Sequence, residues 1–75
     1  MARLRVHLTF PEELITEPVI YHLGRKFAVV PNILRANVEE RVGWVILELE
    51  GETDEIEAGV EYLRETGVQV DVIDA

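Results

Sequence analysis

Four short stretches of this chain place apolar side chains at every second position, with polar ones between them. The first, Arg3 to Phe10, sets Leu4, Val6, Leu8 and Phe10 against Arg3, Arg5, His7 and Thr9. Val29 to Val38 sets Leu34, Ala36 and Val38 against Ile33, Arg35 and Asn37, and Pro31 within it implies an edge position or a late start. Trp44 to Glu50 sets Val45, Leu47 and Leu49 against Trp44, Ile46, Glu48 and Glu50. Val68 to Ile73 sets Val68, Val70 and Val72 against Gln69, Asp71 and Ile73. Successive side chains of a strand point to opposite faces, so each stretch reads as a strand with one apolar side. A sheet built from such strands needs cover on one face only.

The segments between them supply that cover. Pro11 ends the first alternation, and Glu12 to Glu17 form a connection. Thr16 is the expected N-cap of a first helix, with Pro18 in the first turn, where its missing N–H costs nothing. Val19, Ile20, Leu23 and Phe27 recur at helical spacing. Glu39 to Gly43 makes a charged turn that closes a hairpin. After Gly51, Asp54 is the expected N-cap of a second helix, with Glu57 completing a capping box. Ile56, Val60 and Leu63 mark its buried stripe, and Gly67 stands where a C-cap glycine belongs. The order is strand, helix, strand, strand, helix, strand. With right-handed crossovers this predicts an α+β fold of the ferredoxin-like βαββαβ type, a four-stranded antiparallel sheet with two helices on one face.

At 75 residues the chain has room for one domain, spanning 1–75, with a thin stability margin and little interior for a water-excluding active site. Fifteen Asp and Glu against seven Lys and Arg give a net charge of −8, which repels nucleic acid and anionic membrane surfaces. There is no cysteine, so disulfides, thiolate metal sites and thiol nucleophiles within these residues are excluded. No run approaches the roughly 20 apolar residues of a membrane span. The expectation is a cytoplasmic domain without membrane insertion.

Chemistry-bearing residues do not gather. His7 falls on a strand and His22 on a helix, with no ligand spacing between them, and no cofactor or metal is expected. Glu55, Glu57, Glu61 and Glu65 surround the polar side of the second helix, a solvated arrangement in which Arg64 offers Glu61 an ion pair. There is no serine and no glycine-rich phosphate loop. A non-catalytic role follows.

The sheet face away from the helices is more informative. Ile33, Trp44, Ile46 and Ile73 are large apolar groups that a solvated face does not need, so Ile33, Trp44 and Ile46 are read as a dimer or partner interface. Arg5 and Arg35 either receive a carboxylate in fork geometry or pair across strands with Glu48 or Asp71. Asn32 either caps a turn after Pro31 or offers a small ligand a donor and an acceptor.

The run Val30-Pro31-Asn32-Ile33-Leu34-Arg35-Ala36 resembles the signature of the NIL domain, named for its Asn-Ile-Leu sequence. The likeness continues through Phe10-Pro11, Pro18-Val19-Ile20, Leu23, Phe27, Gly43, Leu49-x-Gly51 and Val68-x-Val70-x-Val72. The resemblance implies a ferredoxin-like regulatory domain of methionine ABC-transporter ATPases that pairs with its twin as a homodimer and binds methionine where the two meet. It also implies contact with a transporter ATPase. A related branch is joined to iron–sulfur ferredoxin modules in sulfur metabolism, and Leu8-Thr9-Phe10-Pro11 and Pro18-Val19-Ile20-Tyr21 look more like that branch. Asn32, Ile33 and Leu34 match the named motif; with Arg35 they are the expected ligand-binding segment. Leu34 by parity faces the core, leaving Asn32 and Ile33 better placed for contact. The alternative is a protein-interaction module of a ferredoxin-linked or sulfur-pathway protein with no small ligand.

Overall fold

The computed structural model describes residues 1–74. Strand β1 (Ala2–Phe10) is followed by a single 3-10 turn at Glu12–Leu14, then helix α1 (Val19–Lys26), strands β2 (Val29–Val38) and β3 (Gly43–Gly51), helix α2 (Thr53–Thr66) and strand β4 (Gln69–Asp74). The strands form one sheet in the order β2-β3-β1-β4, with every neighbouring pair antiparallel. This is the expected ferredoxin-like arrangement. β3 and β1 are central and fully registered from Ala2↔Gly51 to Phe10↔Gly43; β2 and β4 are the edges.

The core is aliphatic. Val6, Leu8, Val45, Leu47 and Leu49 of the central strands meet Val19 and Leu23 of α1 and Ile56, Val60 and Leu63 of α2. Leu8, Leu23, Leu47, Leu49 and Leu63 are completely buried. Phe27 leans on Tyr62 at 5.5 Å between ring centroids, closing the gap between the helices.

Both expected N-caps move. Helix α1 begins one residue after Pro18, which occupies the cap position without a side-chain cap, and Thr16 lies outside it, exposed. Proline disfavours helical backbone at the residue before it, so Glu17 and Thr16 cannot be drawn into the helix. The helix also stops at Lys26, and Phe27 is already extended. Helix α2 starts at Thr53 with Glu52 at the cap. Asp54 therefore sits inside the first turn, where its Oδ1 accepts from Glu55 N–H at 3.0 Å, and no capping box forms. Glu55 instead accepts the Ala28 N–H at 2.8 Å, tying α2 to the entrance of β2.

The far end of α2 is as expected. Gly67 has φ 103°, and its N–H and that of Val68 donate to the carbonyls of Arg64 and Leu63 at 3.1 and 3.2 Å. The left-handed region costs an L-residue about 1–2 kcal/mol. Gly67→Ala is expected to lose about that much, lowering the thermal midpoint by roughly 4–16 °C for a domain of this size.

The edge strands depart from strict alternation. In β2 the register shifts between Ile33 and Arg35, leaving Leu34 as an extra residue. Ile33 stands opposite the buried Leu47 and so belongs to the helix side, whereas Arg35 and Asn37 stand opposite Ile46 and Trp44 on the open side. Two expectations are thereby corrected: Ile33 is not on the open face, and Leu34, 39% exposed, is not a core residue. In β4, Ile73 is likewise the extra residue at a register shift. Val72 stands opposite the buried Val6, on the inward side as expected, yet it is exposed.

Candidate functional site

Three surfaces meet around β2. The first is the open sheet face, which reads as rows across β2, β3, β1 and β4. One row is Arg35–Ile46–His7–Asp71; on one side lies Asn37–Trp44–Thr9–Gln69 and on the other Asn32–Glu48–Arg5. His7 stacks on Trp44 at 5.6 Å with the rings 20° apart, and Ile46 beside them is half-buried. Arg5 Nε donates to Glu48 at 3.1 Å and Arg3 Nε to Glu50 at 3.1 Å. Of the two readings of Arg5, cross-strand pairing is therefore the one realised. These two are the ion pairs among the described residues; Arg35 and Arg64 form none.

The second surface is the β2 edge. Ile33 and Val38 are more than half exposed, since α1 spans only Val19–Lys26 and leaves the far half of β2 uncovered, and Val30, opposite Glu50, is exposed on the open side. Asn32, Ile33, Leu34 and Arg35 all lie here and are exposed. They form a continuous ribbon, with Asn32 and Arg35 on the open side and Ile33 on the helix side. The expected interface trio is split: Trp44 and Ile46 share the open face, and Ile33 does not join them.

The third is a cavity of about 200 Å³ between the β1–α1 connection and the hairpin end of β2 and β3. Phe10, Ile15, Val19, Ile20, Val38 and Val45 form apolar walls, and Glu17 and Tyr21 supply polar groups. Tyr21 is held by Arg25, whose Nη1 donates to its hydroxyl at 3.2 Å. Glu17 places a carboxylate at the start of α1, whose first turn has no side-chain cap. An apolar chamber with an acid and a helix start that lacks a side-chain cap suits a zwitterion with an apolar side chain. Reading the chain by periodicity missed this chamber. Its one signal was Ile15, an apolar residue in a largely polar connection. A second hollow, of about 640 Å³, lies between Met1–Leu4 and the start of α2. One of its walls is Met1, 89% exposed, so it is a surface recess.

No polar or charged side chain among the described residues is buried. No group of three or more metal-ligating side chains converges there, and no helix is long and apolar enough to cross a membrane.

The model of the NIL domain family matches residues 4–72, nearly the whole chain. The chain belongs to the NIL domain family. Its relatives include the methionine import ATP-binding protein MetN of Halalkalibacterium halodurans, 38% identical over 72 residues and 91% of this chain. The MetN protein of Streptomyces avermitilis is 36% identical over 96% of the chain. This NIL domain spans only about a fifth of the length of those relatives, 21% and 22%. Among solved structures, the C-terminal domain of an ABC transporter ATP-binding protein from Enterococcus faecalis superposes with a TM-score of 0.81 at 30% identity, over 93% of this chain and 82% of that one. The NIL domain therefore corresponds in fold and sequence to the C-terminal part of such ATPases.

Proposed function

We propose that this NIL domain is a non-catalytic regulatory domain that binds methionine or a related amino acid where two copies of it meet, and so governs a transporter ATPase. The observation that carries the reading is family membership over residues 4–72 with relatives that are methionine import ATP-binding proteins. The exposed segment Asn32–Arg35 supports it: an amide and a guanidinium on one strand can hold the polar end of an amino acid, with Ile33 and Leu34 beside them. A cytoplasmic setting goes with it.

The cavity favours a second placement of the same ligand. It has apolar walls for an unbranched side chain, Glu17 for the ammonium group and the uncapped start of α1 for the carboxylate. Titration with L-methionine, followed by amide chemical shifts, separates the two. Saturable shifts at Asn32–Arg35 support the strand site, and shifts at Ile15, Ile20 and Val38 support the cavity. At the strand site Asn32→Ala is expected to weaken binding about tenfold, the value of one or two hydrogen bonds. A flat titration to millimolar methionine sinks the ligand reading.

A further inference from the structure

The helix-facing row of β3 runs Gly43, Val45, Leu47, Leu49 and Gly51, all of them buried. The two glycines at its ends stand on different grounds. A Cβ at Gly51 would lie 2.7 Å from the Ala28 carbonyl oxygen, so the neighbouring backbone leaves no room for one. A Cβ at Gly43 would meet the Asn37 carbonyl oxygen at 3.7 Å and Ile15 Cγ1 and Val38 Cα at 3.8 Å, which is ordinary contact. Among the described residues only Gly67 has a positive φ, so the backbone at Gly43 is open to any residue. Neither conformation nor crowding calls for glycine at Gly43. In a strand it weakens the element and leaves nothing to pack, and it often marks a place where another molecule comes close.

The missing side chain leaves space. Gly43 stands between Val38 of β2 and Phe10 of β1, and all three line the cavity of about 200 Å³, with Ile15 facing them from the β1–α1 connection. The cavity has two unlike sides. Phe10, Gly43 and Val45 are buried, whereas Glu17 and Tyr21, which bring its polar groups, are exposed. A molecule with a charged head and an apolar tail is oriented by that difference, head outward and tail toward Gly43.

We infer that Gly43 is a specificity-determining residue: the tip of a bound amino acid's side chain fills the space its missing Cβ leaves between Val38 and Phe10. The inference rests on the proposed amino-acid binding and adds to it a fixed depth, by which apolar side chains are selected for length. Each methylene group withdrawn from water there is worth about fourfold in affinity. Left empty, such a space costs a small core stability, and a ligand that fills it in the folded state alone restores it.

The test is a titration of the wild-type domain and of Gly43→Ala with L-norleucine, L-norvaline, L-2-aminobutyrate and L-methionine, followed by amide chemical shifts. In the wild type, affinity is expected to fall about fourfold for each methylene removed along the series. In Gly43→Ala the added methyl group takes the place of the ligand's tip. Norleucine and methionine are expected to lose about tenfold, while 2-aminobutyrate, too short to reach it, stays within about twofold. The same variant is expected to melt about 2–8 °C higher, since alanine restricts the unfolded chain and packs the hole. Weaker binding by a more stable fold does not come from misfolding. Val38→Ala, at an exposed residue, is the second variant: it widens the space and is expected to shift preference about fourfold from L-methionine toward L-ethionine. A Gly43→Ala domain that binds the whole series as the wild type does overturns the inference and leaves the strand site standing. Wild-type binding without dependence on chain length overturns it likewise. A flat wild-type titration with every member of the series overturns both the inference and the ligand reading beneath it.

Discussion

Leu47→Ala is expected to remove about half of this domain's stability. Leu47 is completely buried on a central strand, between the sheet and both helices. Truncating such a leucine costs about 2–5 kcal/mol, through lost transfer energy and the cavity left behind. A domain of this size has about 4–11 kcal/mol in total, so half or more of the margin can go in one change. Leu49→Ala, one pleat along the same face, should behave alike, whereas Ile46→Ala on the opposite face should cost well under half as much. A urea titration of the three variants checks the contrast. If Ile46→Ala proved as damaging as Leu47→Ala, the assignment of the two faces would be wrong.

Gly51→Ala is expected to be nearly as severe, although it adds a single methyl group. A Cβ at Gly51 would lie 2.7 Å from the Ala28 carbonyl oxygen, a backbone atom that cannot rotate away. Gly51 pairs with Val29 at the entrance of β2, and the neighbouring Ala28 N–H is held by Glu55. Relief requires moving the edge strand off β3, at about 1–3 kcal/mol for overpacking and more where pairing is lost. Because β2 carries both Asn32–Arg35 and Val38, the variant should also weaken any amino-acid binding. Amide hydrogen exchange would show the effect as lost protection confined first to β2 and β3. Uniform protection with wild-type stability would mean that the strand entrance is looser than its geometry.

What was legible in the sequence follows from what each segment buries. β1 and β3 lie between two neighbours with the helices on one side, so their alternation runs unbroken and fixes their faces. β2 and β4 each have one neighbour, and an edge strand can take in an extra residue at little cost. Leu34 and Ile73 are those residues, and counting by twos through them put Ile33 on the wrong face. The helix caps failed for a similar reason. Thr16 and Asp54 have the chemistry of caps, but Pro18 holds the start of α1 after Thr16, and α2 already begins at Thr53, one residue before Asp54. The motif segment was visible from Asn32-Ile33-Leu34. The cavity behind Val38 was not, since its walls come from four separate elements and no periodicity within one of them records a gap between them.

The uncovered edge of β2 has one more consequence. A long row of unpaired backbone groups beside exposed apolar side chains is a template on which unrelated strands, or endless copies of the same one, could grow. In β2 that row is interrupted twice: Pro31 brings no N–H, and the extra residue at Leu34 breaks the regular spacing three positions later. No more than a few residues in a row remain flat enough to recruit a stranger. The same irregularity that misled the reading of the strand thus gives a chain with an apolar rim protection against fibre formation, and replacing Pro31 by valine would take part of that protection away.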